Sequence, residues 1–432
     1  MKKTRTVILA ILASTSLALA GGAWTLEDCL NQAKKESLQL TTAKLREQQA
    51  EVNIRQAKIG DYPTVSAHIN NTLYDSPFAP GPQDHYRFQA GLSGSMVLWN
   101  GGATSLSVEA NQLSKQASQM ATKQTERNVQ ENVINIYMSM LASMENIRIA
   151  QSSVELAQAE FEHYGKLYEA GSITKKDLTQ SQSNVLQKQV SLLTAEQTLN
   201  TTTTSMRQLL ELDQNQEFSV TAPETSFVSP DSLPALPTLE ELSREAERTH
   251  AGLKSDSLSV AAAQKNTKLA GKNNSISVTL GANAQTGFQA WESDRYGRQL
   301  KNGYNHSVTL GINIPIIDAG ATENKILSAQ ISEQSSQIAL QETSKNLQNN
   351  LEKLLLDAQA ADLKWKAAIL QVQAETEALS VAEEQRNAGA LTYTDYLSQK
   401  NSLENARITL TQAKYTSLLS RKLLELYQGK LD

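Results

Sequence analysis

Four stretches of the chain alternate apolar and polar residues with a period of two. Tyr86, Phe88, Ala90, Leu92, Gly94, Met96 and Leu98 alternate with Arg87, Gln89, Gly91, Ser93, Ser95 and Val97. Val308, Leu310, Ile312, Ile314 and Ile316 alternate with Ser307, Thr309, Gly311, Asn313 and Pro315. Ile276 to Gln285 and Val65 to Leu73 do the same, with Asn71 as the one polar lapse. Each predicts a strand with one apolar face. Elsewhere the period lengthens. Ala103 to Ala170 holds no proline and one glycine, Gly165, and Ala321 to Ala388 holds neither. Each predicts a helix about 100 Å long at 1.5 Å per residue. Leu347, Leu351, Leu354, Leu355 and Ala358 mark an apolar seam on the second. After Gly171 and Gly389 the chain turns, and return helices are expected to reach Leu212 and Leu426, the first four residues longer. Polar helices from about Leu26 to Ile59 and from about Leu239 to Ala270 precede the strands.

The pattern is written twice. Trp99-Asn100-Gly101-Gly102 closes one alternating stretch, and Ile317-Asp318-Ala319-Gly320 closes another 218 positions later. Ala170-Gly171-Ser172-Ile173-Thr174 with Asp177 recurs, at the same offset, as Ala388-Gly389-Ala390-Leu391-Thr392 with Asp395. Arg207 and Leu209-Leu210-Glu211-Leu212 match Arg421 and Leu423-Leu424-Glu425-Leu426 at an offset of 214, and Thr25-Leu26-Glu27 resembles Thr238-Leu239-Glu240. Ordered matches at near-constant offset indicate an internal duplication. The organisation is thus residues 1–20, 21–212, 213–237 and 238–432: a leader, a helix–strand–strand–helix unit, a proline-bearing linker and a second such unit.

The leader has the form of a signal peptide. Lys2, Lys3 and Arg5 precede an apolar run from Val7 to Leu19, and Ala18-Leu19-Ala20 supplies a small-x-small cleavage pattern. Its removal changes 40 basic against 45 acidic residues into 37 against 45. No basic stripe points to nucleic acid. Cys29 is the single cysteine, so no internal disulfide can form, and Leu26-Glu27-Asp28 before it is not a lipidation context. The reading for Cys29 is a small, half-buried helical thiol. Aromatic residues make up 5% of the chain, thin material for one large globular core. Long helices with narrow facing seams suit it better.

Alternation alone also fits a sheet packed on a soluble core. Three features favour membrane strands. Each is about 9–13 residues long, the span of a tilted barrel strand. The polar face is small and uncharged apart from Arg87, and Tyr86 and Trp99 sit near strand ends. Four strands cannot close a barrel, and lipid does not tolerate an open edge. Three chains would pool twelve strands. The strand connections Asp75 to His85 and Gln289 to Asn305 are polar or irregular and suit outer loops.

His68, His85, His163, His250 and His306 are scattered without metal-ligand spacing, and no nucleotide-binding or hydrolase motif is present. The reading includes no enzyme activity and no cofactor, so power for transport would come from elsewhere.

The duplicated turns at Trp99-Asn100-Gly101-Gly102 and Ile317-Asp318-Ala319-Gly320, the glycine turns with their Thr and Asp, and Leu26-Glu27-Asp28-Cys29-Leu30 resemble the TolC-like outer-membrane efflux proteins over the mature length. The resemblance implies a mixed α+β membrane protein: a homotrimer whose shared β-barrel, four strands from each protomer, spans the outer membrane and continues into a periplasmic α-helical barrel. It implies a passive exit duct, served by a periplasmic adaptor and, through it, an inner-membrane pump. The docking positions for the adaptor would be Gly171, Ser172, Ile173 and Thr174 with Gly389, Ala390, Leu391 and Thr392. Relatives carry two inward aspartates at a periplasmic constriction; Asp395 matches the first, and Ser398 stands at the second. Lock positions of relatives fall on Arg386 and Leu391, which suggests an Asp177–Arg386 ion pair as a closed-state latch. A type I protein-secretion channel is the rival within transport, and a secreted trimeric coiled-coil adhesin or structural protein the rival outside it.

Overall fold

The computed structural model describes residues 23–74, 85–213, 216–221, 229–290 and 294–430. The leader, the first outer loop (75–84) and Pro223 of the linker lie outside them. In chain order the elements are α1 (Leu26–Glu36), α2 (Leu38–Ile59), β1 (Thr64–Tyr74), β2 (His85–Trp99), α3 (Ala103–Glu169), α4 (Lys175–Leu209), α5 (Leu239–Thr249), α6 (Ala251–Ala270), β3 (Ser277–Gln289), α7 (Tyr296–Asn302), β4 (Asn305–Asn313), α8 (Ala321–Asn387) and α9 (Tyr393–Tyr427). The chain forms two compact units. One comprises Met1–Leu38, Asn128–Thr238 and Lys353–Asp432; the other comprises Gln39–Arg127 and Leu239–Glu352.

Three expectations about the elements are corrected. Each leading helix is broken once, at Ser37 and at His250, positions 213 apart. At both residues ψ swings to an extended value, 124° and 109°, while the backbone N–H still closes the preceding helix on Ala33 and Ala246. The return helices are equal, at 35 residues each. Helix α4 ends because Glu211 takes φ +53°, where Gly429 ends α9 at φ +71°. These two residues are 218 apart, so the Leu-Leu-Glu-Leu match sits one helical turn out of structural register. The second outer connection is not irregular throughout, since it contains α7.

In the unit that contains them, the strands form one antiparallel sheet in the order β1-β2-β3-β4. The β2–β3 pairing joins the two copies, and β1 and β4 are its edges. The apolar face is exposed: Val65, Ile69, Leu73, Val308, Leu310 and Ile312 are all open, Val308 at 75%. Hydroxyl and amide pairs line the other face, with Ser66 to Ser93 at 2.9 Å and Gln89 to Gln285 at 3.0 Å. The polar lapse on the apolar face is satisfied, because the Tyr86 hydroxyl donates to Asn71 at 2.8 Å. Where β3 extends past β4, α7 covers its edge, and Gln289 N–H donates to the buried Gln299 side chain at 2.8 Å.

The other unit has a conventional core. Tyr137, Ile134, Met140, Met206, Leu210 and Leu426 are almost wholly buried. The linker is part of it: Trp24 N–H donates to Ser219 at 2.8 Å, Thr221 N–H donates back to Trp24 at 2.9 Å, and Trp24 and Phe218 pack ring to ring at 5.5 Å. Further along, Arg421 donates to the Pro234 carbonyl at 2.7 Å and to Asp362 at 2.6 Å. Cys29 is fully buried rather than half-buried, and burial pushes its thiol up to about 12, which keeps it protonated and unreactive.

Candidate functional site

Two regions hold the residues singled out by sequence. At the helical turns, α3 and α8 end in the same way. Gly171 takes φ +72°, its N–H donates to Tyr168, and Ser172 N–H donates to Leu167. Gly389 takes φ +73°, with matching bonds to Arg386 and Gln385. This paired bonding satisfies the last carbonyls of a helix and requires a left-handed residue, which glycine adopts without a Cβ penalty. A Cβ built on either glycine meets nothing within 4 Å, so the backbone is open to approach. Three residues on, Thr174 caps α4 through a reciprocal capping box with Asp177. Thr392 caps α9, accepting from Asp395 N–H at 3.2 Å and donating to the Asp395 carboxylate at 2.6 Å.

The sequence-derived residues therefore divide. Gly171, Ser172, Thr174, Gly389, Ala390 and Thr392 are exposed, whereas Ile173 and Leu391 pack against the cluster of Tyr164, Ala382, Tyr393, Tyr396 and Leu397. Asp395 and Ser398 are exposed on the first turns of α9. The Asp177–Arg386 latch does not form. Asp177 is engaged by Thr174, and Arg386 donates instead to Glu160 at 3.1 Å, with its guanidinium 4.3 Å from the Tyr396 ring centre. Sequence spacing gave no hint of Glu160, which lies on α3 and meets Arg386 only through tertiary packing. Burial raises the hydroxyls of Tyr164 and Tyr396 and pushes that of Tyr393 up to about 12, so all three phenols stay neutral.

The strand-to-helix turns are the second region. Asn100 opens α3, its side chain accepting from Thr104 N–H at 3.4 Å and donating to the Thr104 hydroxyl at 2.7 Å. Asp318 opens α8, accepting from Thr322 N–H at 2.9 Å and Gly320 N–H at 3.2 Å, and the bonds from Thr322 hold its carboxyl below the usual range. Gly101 and Gly102 take φ +66° and +81°; Ala319 and Gly320 take +51° and +82°. A bulge between Val97 and Trp99 sets Trp99 opposite Val278, on the apolar face. At the far end of that face Phe88 stacks on Phe288 at 5.2 Å, and Tyr296 lies 4.6 Å from Phe288. From Phe88 to Trp99 the strand advances about 36 Å at 3.3 Å per residue, or about 25 Å of depth at a 45° tilt. An apolar band of membrane height is thus bounded by aromatic residues at both ends.

The sequence profile described as outer membrane efflux protein matches residues 29–211 and 242–430, one stretch for each copy of the repeat. The chain belongs to the outer membrane efflux protein family. That bears out the TolC-like resemblance and places the protein in the outer membrane. Solved channels share its fold. CusC superposes with a TM-score of 0.79 at 18% identity, covering 93% of this chain and 91% of CusC. The CmeC outer membrane channel of Campylobacter jejuni gives 0.75 at 16%, covering 94% and 85%. VceC of Vibrio cholerae gives 0.75 at 17%, covering 94% and 96%. No curated protein sequence matches the chain. Among the described residues no helix is long and apolar enough to cross a membrane, and no acidic, histidine or cysteine group is placed to hold a metal.

Proposed function

We propose that this efflux-family chain works as one third of a passive exit duct. Three copies pool their sheets into a twelve-stranded barrel in the outer membrane, and their long helices form a periplasmic tunnel below it. The observation that supports this reading most is the sheet: an apolar face open along its length, a hydroxyl and amide face behind it with Arg87 as its one basic residue, and two edges at β1 and β4. Open edges in lipid leave backbone groups unsatisfied, and pairing β4 of one chain with β1 of the next removes them. The helices also carry open apolar seams. Leu45, Val52 and Ile59 on α2 and Leu356, Leu363 and Leu370 on α8 recur every seven residues and are exposed.

On this reading the turns at Gly171 and Gly389 form the periplasmic tip. Their open backbone suits an adaptor's helical hairpin, through which an inner-membrane pump delivers its substrate. Asp395 with Ser398 would then give the trimer a ring of three carboxylates instead of six, a weaker attraction for cations. The test is purification from outer membranes in detergent, followed by mass measurement and planar-bilayer recording. A trimer with a small resting conductance is expected. A protein soluble without detergent, or a membrane protein that gives no trimer, would overturn the duct.

A further inference from the structure

Helix α7 is anchored where β3 outruns β4. Its Gln299 is 6% exposed, and the Gln299 side chain accepts from Gln289 N–H and donates to the Asp294 carbonyl, both at 2.8 Å. The Thr286 hydroxyl donates to the Leu300 carbonyl, and the Tyr296 ring lies 4.6 Å from that of Phe288. Thr286 pairs with Ala90 and Phe288 with Phe88, which puts both on the apolar face of the sheet. These contacts hold α7 beside the aromatic boundary at one end of the apolar band. It is the end where β1 runs into β2 and β3 into β4, opposite the turns that lead into α3 and α8.

The helix is two-sided. Gln299 is buried and Leu300 half-buried, whereas Arg295, Arg298 and Lys301 are exposed. Residues three apart are neighbours on a helix surface, so the three cations form one ridge, roughly opposite the side of Tyr296, Gln299 and Leu300. Among the described residues of this connection Asp294 is the one acidic residue. It pairs with Arg298 at 3.1 Å in the open, where such pairs are weak. The ridge is thus a local positive excess on a chain with 45 acidic and 40 basic residues. The matching connection of the first copy, 75–84, contains Asp75 and Asp84 and no lysine or arginine. The cations therefore belong to the second copy alone and not to the repeat.

We infer that α7 is a lipid-binding ridge that takes the phosphates of the phosphorylated glycolipid in the outer leaflet of the outer membrane. This rests on the reading that the sheet crosses that membrane. The aromatic boundary fixes the depth: acyl chains meet the open apolar face on one side of it, and headgroup phosphates meet the cations on the other. Arg295 and Arg298 offer planar forks that match two phosphate oxygens at a time, and Lys301 adds a charge on a flexible stem. Tyr296, 54% exposed, presents its ring at the same level. Because Gln299 and Thr286 pin the helix to β3, the ridge is in place before the lipid arrives.

The test titrates the mature protein in detergent with diphosphoryl lipid A, monophosphoryl lipid A and phosphatidylethanolamine, counting bound lipid by native mass measurement. The wild type should bind diphosphoryl lipid A at least about tenfold more tightly than a variant combining Arg295→Gln, Arg298→Gln and Lys301→Gln. It should lose much of that margin on monophosphoryl lipid A, and both proteins should bind phosphatidylethanolamine alike. Equal affinity of the two proteins for diphosphoryl lipid A overturns the ridge, as does a wild type that does not distinguish the two lipid A forms. Release of diphosphoryl lipid A by an equal concentration of inorganic phosphate assigns the cations to a free anion and overturns the lipid assignment. The comparison of the two lipid A forms uses the wild type alone, so it decides the question even if the variant fails to fold. A protein that takes none of the three lipids sinks the membrane-crossing sheet together with the ridge, whereas phosphatidylethanolamine bound without any preference for the diphosphoryl form sinks the ridge alone.

Discussion

Helices α4 and α9 are equal in length and start on the same Thr-x-x-Asp cap, yet they live in different surroundings. Helix α9 buries fourteen of its residues, among them Leu423, Leu424 and Leu426; α4 buries four, Ser181, Asn184, Val185 and Met206. Instead α4 exposes Leu186, Val190 and Leu193, a stripe at helical spacing. The ion pairs follow the same division. Lys400 of α9 reaches α3, Glu404 reaches Lys188 of α4, and Arg421 reaches Asp362 of α8. Duplication made two return helices, and burial separated them: one is the hub of the chain's own core, the other keeps an open apolar stripe, which on the trimer reading faces another chain.

Substitutions of one residue on each helix test that division hardest. Leu426→Ala, at a position with no exposure, should cost about 2–5 kcal/mol through the lost transfer energy and the cavity left behind. It would be seen as a lower unfolding midpoint in detergent. Leu193→Ala on α4 should leave helix content unchanged and instead shift the protein from trimer toward monomer in native mass measurements. Equal loss of chain stability in both variants would mean that α4 is a core helix after all.

The strand-to-helix turns offer a reciprocal test. Both copies need a left-handed residue before α3 or α8; one supplies Gly101 and the other Ala319. Gly101→Ala meets that conformational cost and also collides with Ser275, whose Cβ lies 2.4 Å from the built methyl group. A destabilisation of about 2–4 kcal/mol is expected. Ala319→Gly should move the other way, gaining about 1 kcal/mol as the strained φ is relieved. Glu211→Gly at the end of α4 should behave like Ala319→Gly, since Gly429 already occupies the matching place at the end of α9. Thermal unfolding of the three variants side by side checks the signs as well as the sizes.

What the sequence disclosed and what it hid have physical causes. The strands and the 67-residue helices were legible because period two and period 3.6 persist over many residues. The glycine turns were legible because few other residues sit comfortably at φ near +72°. The end of α4 was misplaced because Glu211 takes the same conformation without the residue type that signals it. The breaks at Ser37 and His250 were missed for a similar reason: neither is Gly or Pro, and only ψ changes. At the helical turns, the capping threonines and aspartates are local and could be read. Glu160 could not, since its partners lie 226 and 240 positions away and nothing in spacing along one helix encodes them.

Those two breaks give the finest contrast between the copies. Ser37 has no titratable side chain, while His250 caps α6 with its imidazole, Nδ1 accepting from Leu253 N–H at 3.1 Å. Burial lowers the His250 pKa below its ordinary value near 6.5, and the neighbouring Arg127 adds to the effect over the weaker pull of Asp256. A proton on Nδ1 would also face a donor in place of an acceptor, so protonation undoes the cap. The sign follows from linkage: below about pH 6.5 the unfolded chain binds this proton before the folded chain does, so stability falls with pH until the folded-state pKa is passed. His250→Asn keeps a capping oxygen and removes the titration. Between pH 7.5 and 5 the wild-type unfolding midpoint should decline more than that of the variant, with the two agreeing most closely at the upper end. Parallel curves would show that the imidazole caps α6 without sensing pH, leaving the two breaks alike in everything but residue type.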